Sequence, residues 1–196
     1  MRPLLLASTS PYRRILLERL ALPFVVVAPQ VIEADDAAEP AAEPAAARAA
    51  RLARAKAEAV AHEYPDAIVI GSDQVASLQA RVLHKPGNAL RAREQLTQLS
   101  GNTACFHTAC TVIGTSAHVD VSHVDRSDVV FRSLVADEIE RYIVRDRPFD
   151  CAGSFKAEAL GITLFTRIDS HDPTALIGLP LIWLAHALRG CGYSLP

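Results

Sequence analysis

The sequence lacks the marks of several common functional classes. Its four cysteines, Cys105, Cys110, Cys151 and Cys191, include no C-x-x-C pair. That argues against a zinc site and a disulfide framework, and it fits reduced thiols in a cytoplasmic protein. His107 has no histidine, cysteine or carboxylate at metal-ligand spacing and reads as a core or half-buried residue. No apolar run approaches the roughly 20 residues of a membrane span. Leu4-Leu5-Leu6 behind Arg2 is too short for the apolar core of a signal peptide. Neither sign of charge is in large excess: 20 Lys and Arg against 22 Asp and Glu give a formal net charge of -2. A broad positive field for a stable nucleic-acid partner is therefore missing. There is no Walker loop, dinucleotide fingerprint or Ser-His-Asp order. The only internal repeat is Ala-Ala-Glu-Pro, doubled over 37–44.

What is present is a globular composition, half hydrophobic and 21% charged over 196 residues. That length can bury a sizeable core, as a single domain over 1–196 or as two small lobes. Leu4-Leu5-Leu6-Ala7 predicts a buried strand. Ser10 then stands at an N-cap and Pro11 at the first helical position, with Ile15, Leu16 and Leu20 on one face. A strand is predicted over 24–28. A loop bearing Glu33, Asp35 and Asp36 follows, then a connector in which Pro40 and Pro44 forbid a continuous helix. The segment 45–64 predicts a helix with Leu52, Ala55, Ala59 and Val60 on a narrow apolar face and Lys56 beside it. A strand over 67–70 reaches Gly71, a sign of a bulge or a close backbone approach, and resumes over 75–78. Beyond it, a helix is predicted over 88–99, a long strand over 103–113 and strands over 119–122 and 128–131, antiparallel to their neighbours. Ser133 caps the next helix, with Val135, Ile139, Tyr142 and Ile143 on its apolar face. An irregular loop spans 151–158, a strand 162–165, and a last helix 173–188 interrupted by Gly178-Leu179-Pro180.

Three segments look like parts of a site. The first is the turn Ser8-Thr9-Ser10-Pro11-Tyr12-Arg13-Arg14. A strand turning sharply into a helix points backbone N–H groups at one spot, where the helix dipole favours an anion. Two arginines add forked donors that match phosphate oxygens. The same residues also fit an ordinary capped helix with solvated arginines. The second is Asp73 after the strand at Gly71, which also fits a turn former. The third is the loop with Lys156 and Glu158, which also fits a plain surface loop. Lys85 is held by Pro86, and Lys56 also fits a solvated helix surface. Several cations with few carboxylates suit a polyphosphate, whose charge they screen while a carboxylate places a divalent ion or activates water.

The segments 7–14, Arg51-Leu52-Ala53-Arg54-Ala55-Lys56-Ala57, Gly71-Ser72-Asp73-Gln74-Val75, Lys85-Pro86, Ser100-Gly101, Cys151-Ala152-Gly153-Ser154-Phe155-Lys156 and Gly178-Leu179-Pro180-Leu181 together resemble the Maf family of nucleoside triphosphate pyrophosphatases. They occur in order from Leu4 to about Leu188. The resemblance implies an α/β fold with an elongated mixed β-sheet, flanking helices and two lobes around a central cleft. It implies a hydrolase that cuts a nucleotide between the α- and β-phosphates with a divalent metal cation, Mg or Mn. It leaves room for a homodimer.

By the same resemblance, Asp73 is the general base, Arg13 and Arg14 face phosphates, and Lys56 and Lys85 are phosphate-side lysines. Ser8, Ser10 and Lys156 are substrate-binding, and Glu33 joins Asp73 at the metal. His84 stands where the family has Gly, and Ile32 where it has Asp. The likeness is greatest to the branch described as 7-methyl-GTP pyrophosphatases, through Tyr12, Gln74 and Glu158. The branch acting on dTTP and UTP has Arg, Thr and Gln there. A ring at Tyr12 can stack on a cationic N7-methylguanine, and Glu158 can accept from a guanine edge. A nucleotide-binding regulator without turnover is the alternative from another class. Retention of Asp73 with Lys56 and Lys85 argues against it, since binding alone needs no water-activating carboxylate.

Overall fold

The computed structural model describes residues 2–31, 43–79 and 81–196. Their secondary structure is mixed α/β. The strands are β1 (Leu4–Ala7), β2 (Val25–Val27), β3 (Ile68–Leu78), β4 (Arg81–Leu83), β5 (Thr103–Gly114), β6 (Val119–Phe131) and β7 (Phe165–Ser170). The helices are α1 (Pro11–Glu18), α2 (Ala45–Glu63), α3 (Ala89–Leu99), α4 (Ala136–Asp146) and α5 (Leu181–Gly190). One seven-stranded sheet has the order β2-β1-β3-β5-β6-β7, with β4 paired to β3. The residues group into two compact units. The first comprises Met1–Gln74, Thr108–Asp125 and Asp172–Pro196, and the second Val75–His107 and Arg126–His171.

In the first unit β1 runs parallel to both β2 and β3. Its short apolar run is buried on both faces, as a central parallel strand requires. Leu4 and Leu6 join Leu16 and Leu17 of α1 and Leu181, Leu184 and Leu188 of α5 in one core, while Leu5 and Ala7 join Ala57, Val60 and Ala61 of α2 in another. The period of two thus sends alternate residues to opposite helical layers. From β1 the chain crosses through α1 to β2, then returns through α2 to β3. The C-terminal end of β1, beside Gly71 of β3, therefore lies at a change in winding direction, where open α/β sheets place their ligands.

In the second unit four phenylalanines, Phe106, Phe131, Phe155 and Phe165, meet edge-to-face with centroids 4.8–5.6 Å apart, a preferred aromatic geometry. Arg93 of α3 pairs with Glu140 of α4. β7 is antiparallel to β6, and β4 to β3.

Several predicted details are corrected. Ile15 is exposed, while Leu16 of the expected face is buried together with Leu17, which was not expected there. β3 and β6 are each continuous, where breaks were expected at Gly71 and over 123–127. The buried face of α2 is Ala49, Leu52, Ala53, Lys56, Ala57, Val60 and Ala61, not the stripe through Ala55 and Ala59. α4 begins at Ala136 after Val135, whose N–H is held by the Glu138 carboxylate at 3.0 Å, so Ser133 is not its cap. Val135 is exposed. Residues Leu160–Leu164 form a 3₁₀ turn, and the strand follows it. The last helix starts only at Leu181, because a separate 3₁₀ turn occupies Ala175–Ile177. Most of the Ala-Glu-Pro connector lies outside the described residues. Among the described residues no helix is long and apolar enough to cross a membrane.

Candidate active site

The turn after β1 is built by its own hydroxyls. Ser8 is buried, and its N–H donates to the carbonyls of Leu6 and Val27. Its Oγ accepts from the Ser10 N–H at 3.1 Å, and the Ser10 Oγ accepts from the Arg13 N–H at 3.4 Å. Pro11, with no N–H to satisfy, starts α1. Ser8 and Ser10 therefore fix the shape of the turn whatever else they bind. Tyr12 is half-buried in the first turn of α1. Its two arginine neighbours diverge. Arg13 donates from Nε to the Gly178 carbonyl at 3.0 Å. Arg14 donates from Nε to Glu18 at 3.0 Å on the exposed side of the helix, where it lines a surface pocket with Leu22, Phe24 and Val26.

β1 ends at Ala7, paired with Gly71, while β3 continues to Leu78. Residues 72–74 thus run past the C-terminal end of β1, the end at which α1 begins. Gly71 explains how α2 reaches them. A Cβ there would stand 2.3 Å from the Ala53 carbonyl oxygen and 2.7 Å from the Ala57 nitrogen. Glycine in β3 and alanine in α2 let helix and strand backbones nearly touch. That close approach delivers Lys56. Its ammonium donates to the Asp73 Oδ1 at 2.6 Å, with both residues only 8% exposed. The alternative reading of Lys56 as a solvated helix-surface lysine is thereby excluded. A buried ion pair contributes little net stability, because desolvation of both charges offsets their attraction. Such a pair is better explained by chemistry than by folding.

The other face of β3 carries neutral groups. Ser72 is fully buried, and its hydroxyl lies 2.8 Å from the Ala109 carbonyl and 3.0 Å from that of Gly178. The Gln74 amide nitrogen lies within 3.1 Å of the Thr108 hydroxyl and the carbonyls of Ala175 and Leu176. Two N–H groups face three acceptors, so the donor end of Gln74 is committed to protein and only its carbonyl end suits a ligand. Ser72, Thr108 and Gly178 were not among the candidates. Gly178-Leu179-Pro180 stood out in the sequence as a helix interruption and as part of a segment resembling the family, without a role for the Gly178 carbonyl.

The remaining candidates belong to the second unit. Lys85 is exposed between β4 and α3, with Pro86 buried behind it. Its segment is held by bonds from Gln95 to the His84 carbonyl at 2.8 Å and from the Gly87 N–H to the Phe149 carbonyl at 2.9 Å. His84 is not among the positive-φ residues, so its place in a glycine position strains nothing. Lys156 is half-buried. Its ammonium donates to the Asp146 carbonyl at the C-terminus of α4, and its N–H to the Tyr142 hydroxyl, both at 3.0 Å, a cation at the negative helix end. Glu158 is exposed. Burial raises the Cys110 thiol to about 12 and the Cys105 thiol to about 11, so neither is a ready nucleophile. His107 is half-buried, as expected, and burial lowers its pKa.

Glu33 lies outside the described residues. Among the described residues no group of three or more metal-ligating side chains exists. They therefore build no all-protein cage. A hard divalent ion shared between one or two carboxylates and substrate phosphates needs none, and Asp73 has the chemistry for it.

The family model described as Maf-like protein matches residues 3–191. The chain is 52% identical over 196 residues to the 7-methyl-GTP pyrophosphatase of Xanthomonas axonopodis pv. citri, with 100% of each chain covered. It is 51% identical over 193 residues to that of Alkalilimnicola ehrlichii, covering 98% of this chain and 95% of the other. To the 7-methyl-GTP pyrophosphatase of Polaromonas sp. it is 49% identical, covering 99% of this chain and 87% of the other. In fold it is similar to the Staphylococcus aureus Ham1 protein, with a TM-score of 0.54 at 14% identity over 96% of this chain and 99% of that one.

Proposed function

Because the chain belongs to the Maf-like family, we propose that it hydrolyses 7-methyl-GTP between the α- and β-phosphates, giving the monophosphate and pyrophosphate. The observation that carries this reading is the buried Lys56–Asp73 pair beside the ligand end of the parallel strands. Asp73 accepts the proton of the attacking water, and Lys56 fixes the carboxylate through Oδ1. The Gly178 carbonyl holds the Arg13 fork against the phosphates. The N-terminus of α1, shaped by Ser8 and Ser10, favours the same anion. A divalent cation, Mg or Mn, held by Asp73 and Glu33, would add Lewis-acid stabilisation of phosphate charge.

Tyr12 stacks on the cationic base, which is worth roughly 0.5–2 kcal/mol. For the residues of the second unit the proposed roles are those the family resemblance implies. Lys85 and Lys156 meet phosphate charge, and Glu158 accepts from the N1–H and N2–H₂ edge of guanine. A pyrimidine would leave that carboxylate unpaired, which discriminates strongly. The test is kcat/KM for 7-methyl-GTP, GTP, dTTP and UTP. The proposal expects 7-methyl-GTP above GTP, and both far above the pyrimidines. A preference for dTTP or UTP would refute the branch while keeping the pyrophosphatase.

A further inference from the structure

Residues 172–182 form a closed turn beside the site, and its fastening is unusual. Asp172 is only 2% exposed. Its Oδ1 accepts from the N–H and the hydroxyl of Thr174 at 2.8 and 2.6 Å, and its Oδ2 accepts from the Ile182 N–H at 2.7 Å. The Thr174 Oγ accepts from the Leu181 N–H at 2.9 Å. Pro180 precedes α5 and offers no side-chain cap. Asp172 and Thr174, reaching across the turn, therefore satisfy two of the first orphan N–H groups of α5. Backbone bonds from Gly178 to Thr174 and Ala175 wind the intervening residues tightly. Gly178 itself adopts φ +129°, where its carbonyl receives both Arg13 Nε and Ser72 Oγ at 3.0 Å.

Space does not demand a glycine there, because a Cβ would meet Arg13 no closer than 3.6 Å. The backbone direction demands it, and that direction is what aims the carbonyl. Fixing Nε fixes the plane of a guanidinium, and hence the line along which its fork meets phosphate. The turn is pinned from outside by Gln74 and Thr108, which bond the Ala175 carbonyl.

We propose that Asp172 and Thr174 are positioning residues that aim Arg13 through the Gly178 carbonyl. The inference rests on the proposed phosphate role of Arg13. A misplacement of about 1 Å can cost up to about a hundredfold in rate, so a loosened turn is expected to show in turnover before it shows in folding. The test measures kcat and KM for 7-methyl-GTP, with a melting curve for each variant. Thr174→Val is expected to lower kcat roughly tenfold with little change in KM, and Thr174→Ser, which keeps the hydroxyl, restores most of it. Asp172→Asn is expected to behave like Thr174→Val; if it fails to fold, the Thr174 pair carries the test. In an Arg13→Ala background, Thr174→Val should cost nothing further, because the residue acts through Arg13. A cost that is fully additive in that background, or a Thr174→Val enzyme with wild-type kcat, would overturn the inference while leaving Arg13 in place. An Arg13→Ala enzyme with wild-type turnover would overturn the phosphate role, and the inference with it.

Discussion

The two faces of β3 solve different problems with adjacent residues. Toward α2 the strand presents Gly71 and then Asp73, paired to Lys56 at 2.6 Å. Toward the other helical layer it presents Ser72 and Gln74, which bond only neutral partners, the carbonyls of Ala109, Gly178, Ala175 and Leu176 and the Thr108 hydroxyl. The charged face holds groups that chemistry can use and that stability does not need. The neutral face is a scaffold, and it meets the chemistry through one carbonyl, that of Gly178, which orients Arg13. One strand thus places the carboxylate proposed as the base and braces the cation expected to serve the same substrate.

The comparison breaks most sharply at Asp73. Asp73→Asn should cut turnover at least about a hundredfold while nucleotide binding persists. It should also lower the melting temperature, because the buried Lys56 ammonium loses the charge of its Asp73 partner. In the double variant Lys56→Met, Asp73→Asn the melting temperature should recover while activity stays lost. Recovery of both, or of neither, would contradict the division of labour between the faces.

Gly71→Ala attacks the geometry beneath the pair. With its Cβ 2.3 Å from the Ala53 oxygen, α2 must retreat. A loss of about 3 kcal/mol or more is expected by chemical denaturation, with activity falling alongside. A neutral effect would show that the close approach does not deliver Lys56.

The two neighbouring arginines give a smaller contrast. Arg13→Ala should lower kcat/KM by at least about tenfold, since a charge-assisted fork on phosphate is lost. Arg14→Ala removes an exposed i,i+4 pair with Glu18, worth about 0.3–0.5 kcal/mol of stability, and should cost turnover far less. Equal losses from the two would mean that the Gly178 contact does not distinguish them.

How much of this was legible beforehand follows from the range of each interaction. The turn from β1 into α1 was readable, because hydroxyl caps and a proline at the first helical position are local signals. The alternation of strands and helices was readable for the same reason. The burial of Lys56 was not. A lysine beside an alanine stripe looks solvated until Gly71, many residues on, is known to accept the helix backbone. The glycine itself left a bulge and a close approach equally open, and the close approach is what formed, inside an unbroken strand. The brace of Asp172, Thr174 and Gly178 was invisible as function, since its partners are carbonyls and N–H groups that carry no residue identity. The α4 cap was misplaced by two residues because the helix starts without a capping hydroxyl, and Glu138 reaches back to accept from the Val135 N–H instead.

The most direct test of the central claim is product analysis of 7-methyl-GTP turnover with magnesium, comparing wild type with Asp73→Asn. The account predicts 7-methyl-GMP and pyrophosphate in equal amounts from the wild type, and a rate at least about a hundredfold lower from the variant. Release of 7-methyl-GDP and inorganic phosphate, or undiminished pyrophosphate release by Asp73→Asn, would contradict it.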